Sequence, residues 1–184
     1  MTRGWSEPIV RLFVAADLPP EARAAIEEWQ EAELELHDEV RVVHTLHLTL
    51  CFLGNAPQAR VGDIHEALAA IDIPPLPTAV GGPLFLPEKR RKRVLALRLD
   101  DPSENIGRVQ REISDALAAM KVYKPERRPY VPHVTVARFR RPGYEFPLQN
   151  VNIKAFGLPH VTLYTSMLER GGAVHTPLAS FPAG

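Results

Sequence analysis

One short pattern constrains this chain more than any other: it carries His47-Leu48-Thr49-Leu50 and, later, His133-Val134-Thr135-Val136. The two histidines are 133 − 47 = 86 residues apart, and the apolar runs opening each part of the chain, at Ile9 and Val94, are 94 − 9 = 85 apart. A pattern recurring at a fixed period marks one supersecondary unit used twice. Each unit reads as strand, proline-bearing turn, helix, then a strand holding His-x-Thr. The expected fold is therefore α+β, with two pseudo-symmetric lobes. Each lobe is a mainly antiparallel sheet with helices on its outer face, and an active-site groove lies between them. Residues 1–184 form a single bilobal domain on this reading, with a first repeat over about 1–92 and a second over about 93–184. A chain of 184 residues suits that size.

Apolar and branched residues predict strands over 9–16, 40–43, 47–53, 94–99, 131–139, 151–156, 160–168 and 173–181. Gly54-Asn55 is expected to close the third of these, and an extended stretch is expected up to Leu86. Helices are predicted over 22–36, 59–71 and 106–120. Pro19-Pro20 suits the first turn of the first helix. Val61, Ile64, Leu68 and Ile71 share one face of the second, and Ile106, Val109, Ile113, Leu117 and Met120 share one face of the third.

Side chains alternate along a strand, so the histidine and threonine of each motif point one way while Leu48, Leu50, Val134 and Val136 point into the core. Two such strands facing one another place two imidazoles and two hydroxyls around one point. That set suits phosphodiester hydrolysis, which needs a base for water and an acid for the departing alkoxide. Imidazole, with an unperturbed pKa of ~6.5, serves in either role near neutrality. Threonine hydroxyls can hold the non-bridging oxygens as charge shifts. No metal and no cofactor is expected, since nothing here resembles the carboxylate clusters that hold Mg²⁺ or Mn²⁺.

His160-Val161-Thr162-Leu163 is a third triplet, but it lacks the flanking pattern and falls outside the duplicated register. His44 rivals His47, but its neighbours do not repeat the motif, and His37, His65 and His175 have no company that suggests chemistry. Cys51 is the only cysteine, which rules out an internal disulfide, and it reads as a buried bystander. With Met1 to Trp5 lacking a secretory-type apolar run, a cytoplasmic protein is expected. No apolar run reaches the roughly 20 residues of a membrane helix.

The zero net charge hides a division. Residues 1–88 carry 5 Lys/Arg against 14 Asp/Glu, and residues 89–184 carry 17 against 8. The basic residues cluster in Lys89-Arg90-Arg91-Lys92-Arg93, in 121–128 and in 138–141. A polyanion could use that surface, although any one such cluster is as readily a solvated loop.

Taken together, Arg11-Leu12-Phe13-Val14-Ala15, His47 to Gly54 and Pro132-His133-Val134-Thr135-Val136-Ala137-Arg138 resemble the bacterial 2′-5′ RNA ligase/RNA 2′,3′-cyclic phosphodiesterase family, a branch of the two-histidine phosphoesterases. The closing Leu163 to Leu168 is similar to that family's final strands. The resemblance implies hydrolysis of RNA 2′,3′-cyclic phosphate ends, tRNA-derived ends among them, to 2′-phosphate, with weak 2′-5′ ligation. It implies His47 as proton donor, His133 as proton acceptor, and Thr49 and Thr135 on the phosphate.

By the same resemblance Arg138 would contact phosphate, and Phe13 would be the aromatic of the first strand. Simple alternation puts Arg138 on the face opposite His133, so that role needs a bulge or twist to re-aim it. Arg128 and Tyr130 are further candidates for contact with RNA, though Phe13, Phe52 and Tyr130 read equally as core. Where the family carries an aromatic near its end, this chain has His175. A monomer without membrane attachment is expected. Two other readings stay open: a cyclic phosphodiesterase of a small nucleotide, and an RNA-end binding module.

Overall fold

The computed structural model describes residues 7–34, 38–87, 92–143, 148, 151–170 and 172–184. In chain order it contains β1 (Ile9–Asp17), α1 (Pro20–Glu33), β2 (Val40–Val42), β3 (His47–Pro57), a 3-10 turn (Gln58–Arg60), α2 (Val61–Ala69), β4 (Pro77–Thr78), β5 (Val80–Leu86), β6 (Val94–Leu99), α3 (Asn105–Ala119), β7 (His133–Phe139), β8 (Phe156–Gly157), β9 (His160–Glu169) and β10 (Gly172–Pro182). The α+β class is as expected, with three α-helices among the described residues and one large antiparallel sheet. His37, Lys89 to Arg91 and Met1 to Trp5 lie outside the described residues, as do the last two positions of the helix expected over 22–36.

The helices form where the apolar period and the starts predict. Proline occupies the first turn of α1, where its missing N–H costs nothing. Asp101 caps α3, its carboxylate accepting from the Ile106 and Gly107 amides at 3.1 and 2.8 Å. Ile26, Ile64, Leu68, Ile106, Val109, Ile113 and Leu117 from the helices then close over Leu12, Val14, Ala16, Leu48, Leu50, Leu95, Leu97, Val134 and Val136 from the strands.

The strand order is β10-β9-β1-β3-β7-β6-β5, with β2 also beside β7. This pairing does not follow the division at residue 92. The C-terminal hairpin β9–β10 takes the free edge of β1, and β2 from the first half takes the edge of β7 that β3 leaves open. Edges left unpaired expose backbone groups, and these long-range pairings satisfy them. Only Leu48 and Val134 join β3 to β7.

Three local expectations need correction. Gly54 does not end β3: its φ of +74° carries the backbone past an unpaired Leu53, and the strand runs on to Pro57 beside Ile9. Residues 151–154 alternate half-buried and exposed as a strand would, yet 151–155 pair with nothing described; only Phe156 and Gly157 pair, with Thr78 and Pro77. The opening strands are also offset differently in space. Asp17 stands opposite His47 and Arg98 opposite His133, a separation of 98 − 17 = 81. The value of 85 read from the sequence reflects an earlier start for β1.

Candidate active site

The two motif strands are built alike. Along β3, Leu48 and Leu50 are buried while His47 and Thr49 are half-buried; along β7, Val134 and Val136 are buried while His133 and Thr135 are half-buried. The helices cover the aliphatic face, so the imidazoles and hydroxyls lie on the uncovered one. The single β3–β7 pair, Leu48 with Val134, is the central residue of both triplets. Antiparallel pairing there sets His47 beside Thr135 and Thr49 beside His133. All four expected residues thus occupy adjoining positions on two neighbouring strands.

Each strand then bulges at the next position. Cys51 and Thr49 face Val14 and Ala15, leaving Leu50 unpaired; Ala137 and Thr135 face Leu95 and Ala96, leaving Val136 unpaired. The bulges are 136 − 50 = 86 residues apart, the same period as the histidines. An extra residue reverses the alternation beyond it. Cys51 and Ala137 are consequently buried, and Phe52 and Arg138 emerge on the side of the histidines. This is the re-aiming that a phosphate contact by Arg138 required.

Both imidazoles are tied to the backbone two residues upstream. His133 Nδ1 lies 2.7 Å from the Val131 carbonyl oxygen, which can only accept, so Nδ1 carries a proton and Nε2 is left for chemistry. His47 makes the matching backbone hydrogen bond to Thr45. Burial pushes the His47 imidazole down to about 4, helped by the His175 charge and opposed by the Thr45 bond and Asp17.

His175 is the residue that sequence reasoning passed over. From β10 its ring meets His47 edge-on at 5.2 Å and Phe13 at 4.7 Å. The register brings it there through two strands: His175 pairs Ser166 on β9, and Tyr164, two residues before, pairs Phe13. The one available signal was its place where the family carries an aromatic. Burial lowers the His175 imidazole below its ordinary value. Phe13 is buried, stacks on Tyr164 at 5.1 Å and packs against His47 at 5.1 Å, so it holds the imidazole from behind.

The remaining candidates separate. The Tyr130 hydroxyl donates to the Thr49 carbonyl at 2.9 Å, fastening the approach to β7 onto β3, and burial keeps that phenol protonated well above its usual range. Arg128 is exposed in the preceding loop. His160 is exposed at the end of β9 and Thr162 is fully buried, so the third triplet does not present its pair together. His44 is exposed. Cys51 is buried and its thiol is pushed up to about 12, which leaves it unreactive.

No helix among the described residues is long and apolar enough to cross a membrane. The profile of the 2′-5′ RNA ligase superfamily matches residues 18–146. The chain is 28% identical to an RNA 2′,3′-cyclic phosphodiesterase of Methanothermobacter thermautotrophicus, covering 94% of this chain and 98% of that one. It is 29% identical to the RNA 2′,3′-cyclic phosphodiesterase of Escherichia coli K12, covering 94% and 96%. Among solved structures, one from Thermus thermophilus superposes with a TM-score of 0.82 at 27% identity, over 94% and 97% of the two chains. The apo form of E. coli LigT shares the fold with a TM-score of 0.81 at 24% identity, over 97% and 99%.

Proposed function

The chain belongs to the 2′-5′ RNA ligase superfamily, and from that footing we propose that it hydrolyses RNA 2′,3′-cyclic phosphate ends to 2′-phosphates without a metal. The observation carrying this reading is the Leu48–Val134 pair, which gathers both His-x-Thr motifs on one uncovered face. The half-sheet β10-β9-β1-β3 and the half-sheet β7-β6-β5 with β2 act as two lobes, and the cyclic phosphate sits in the groove where they meet.

His133, its Nδ1–H held by Val131, takes a proton from water on Nε2. The water oxygen bonds to phosphorus as the bond from phosphorus to O3′ breaks. His47 gives its proton to O3′, leaving a 3′-hydroxyl and a 2′-phosphate. Thr49 and Thr135 hold the non-bridging oxygens, and Arg138, turned to this face by the Val136 bulge, adds a charge-assisted bond. With an RNA 5′-hydroxyl attacking phosphorus in place of water, the same groups would join ends through a 2′-5′ linkage.

The low pKa of His47 belongs to the unliganded protein. A phosphate anion beside the ring favours the imidazolium, so substrate binding loads the acid. Protein dialysed against EDTA should still convert end-labelled RNA 2′,3′-cyclic phosphate to a 2′-phosphate, identified by phosphatase treatment and alkali mapping. Activity that disappears with EDTA and returns with Zn²⁺ or Mn²⁺ would overturn the mechanism, and a 3′-phosphate product would reverse the leaving group.

A further inference from the structure

The two motifs are nearly identical, yet the reaction needs one acid and one base, and a substrate held one way round. The motif strands do not supply that difference; the strands beside them do. Across from β3, β1 sets Asp17 opposite His47, Ala16 opposite Leu48 and Ala15 opposite Thr49. Across from β7, β6 sets Arg98 opposite His133, Leu97 opposite Val134 and Ala96 opposite Thr135. The two sets correspond residue by residue, alanine to alanine and aliphatic to aliphatic, until the last. There a carboxylate stands on one side and a guanidinium on the other. Directly opposed residues of an antiparallel pair share a face, with Cβ atoms roughly 4.5–5.5 Å apart, so Asp17 adjoins His47 and Arg98 adjoins His133.

The surroundings reinforce the contrast. Asp17 is fixed by two hydroxyls, Thr162 Oγ1 donating to Oδ2 and Tyr164 donating to Oδ1, both at 2.6 Å. Tyr164 keeps its proton for that bond, its phenol being pushed up to about 12 by burial and the Asp17 carboxylate. On the other side Arg98 is exposed, with Gly82 of β5 opposite it. Farther along β7, Arg138 pairs with Arg41 of β2. The Asp17 carboxylate thus stands beside the first motif, where the Arg23 cation also acts on His47, and guanidiniums line the second.

We propose that this polarity orients the cyclic phosphate: Arg98 is a phosphate-binding residue on the β7 side, and Asp17 is a positioning residue that keeps a non-bridging oxygen from taking the place of O3′ at His47. The ribose and its departing O3′ then face His47, and water approaches from His133. The carboxylate also favours the imidazolium that the donor must become. The inference rests on the hydrolase reading above but concerns residues which that reading leaves without a role.

The test uses adenosine 2′,3′-cyclic phosphate as substrate, with chromatography resolving 2′- from 3′-phosphate product, and inorganic phosphate as an independent ligand in calorimetry. Arg98→Gln should weaken phosphate binding and raise KM by roughly tenfold or more, as expected for losing a charge-assisted bond, and Arg98→Lys should restore part of it. Asp17→Asn combined with Arg98→Gln should release 3′-phosphate alongside 2′-phosphate, a change that loss of packing would not cause. Arg98 is exposed, so its single variants fold and remain informative if Asp17→Asn does not. Phosphate affinity and KM unchanged in Arg98→Gln would overturn the inference, as would 2′-phosphate alone from a folded double variant. If the wild type fails on the cyclic substrate while phosphate binding still depends on Arg98, the proposed reaction falls and this site stands.

Discussion

Gln30, buried on α1, donates its side-chain amide to the carbonyl of Val136 at 2.8 Å and to that of Val43 at 2.9 Å. Val136 is the unpaired residue of the β7 bulge, so a helix of the first repeat fixes the turn-out of the second motif. Gln110 on α3 lies in the matching relation to Leu50, 3.4 Å from its carbonyl. Gln30→Leu removes both bonds, the Val136 carbonyl keeping the Val43 amide at 2.9 Å, and should cost about 0.5–1.5 kcal/mol per bond lost in denaturant melts. Because the bulge aims Arg138, the folded variant should also show a raised KM. A KM equal to wild type in a destabilised protein would make Gln30 a core residue only.

His47→Ala and His133→Ala should each lower kcat by at least roughly 10²-fold, the usual worth of general acid or base assistance. The double variant should lose far less than the product of the two, because the residues act as one unit. His160→Ala should stay within a few-fold of wild type, its ring being exposed at the end of β9. A dead His160→Ala with an active His133→Ala would refute the pairing of the motifs.

Arg138→Gln should reduce kcat/KM by about 10- to 100-fold, the worth of a charge-assisted hydrogen bond of about 1.5–3 kcal/mol. Phe52, at the corresponding place past the other bulge, is 47% exposed and has the Arg11 guanidinium over its ring at 4.9 Å. Phe52→Leu should therefore leave stability within about 0.5 kcal/mol, as surface changes do. Steady-state kinetics and urea melts on both variants check this, and an Arg138→Gln enzyme with wild-type kcat/KM would remove the phosphate contact.

His47 titrates near 4 in the folded protein and near ~6.5 when unfolded. The unfolded chain therefore binds more protons in that interval. The stability from keeping this ring neutral is fully present above about pH 6.5 and is lost as pH falls through about 4. His175→Phe keeps an aromatic ring against Phe13 but removes the charge that lowers His47. Its His47 resonance should titrate at higher pH by NMR, and its urea midpoint should fall less between pH 7 and pH 4.5. An unmoved His47 titration would show that His175 is packing alone.

Much of this protein was written in its sequence. Alternation and helical period are local, so the core faces of β3, β7, α2 and α3 could be read directly, and the 86-residue period located both motif histidines. What the sequence could not state were the consequences of one strand lying against another. Whether Arg138 faced the chemistry depended on an unpaired Val136, and a bulge exists only relative to a partner strand. His175 reached His47 because the β9–β10 hairpin pairs through β9 with β1, a contact spanning more than a hundred residues that leaves no local periodicity. The same holds for Asp17 and Arg98, whose opposition to the two histidines rests on an offset of 81 where the sequence suggested 85. A side chain's face follows from its own strand, but its neighbours follow from register, and register is settled only when the whole sheet closes over its core.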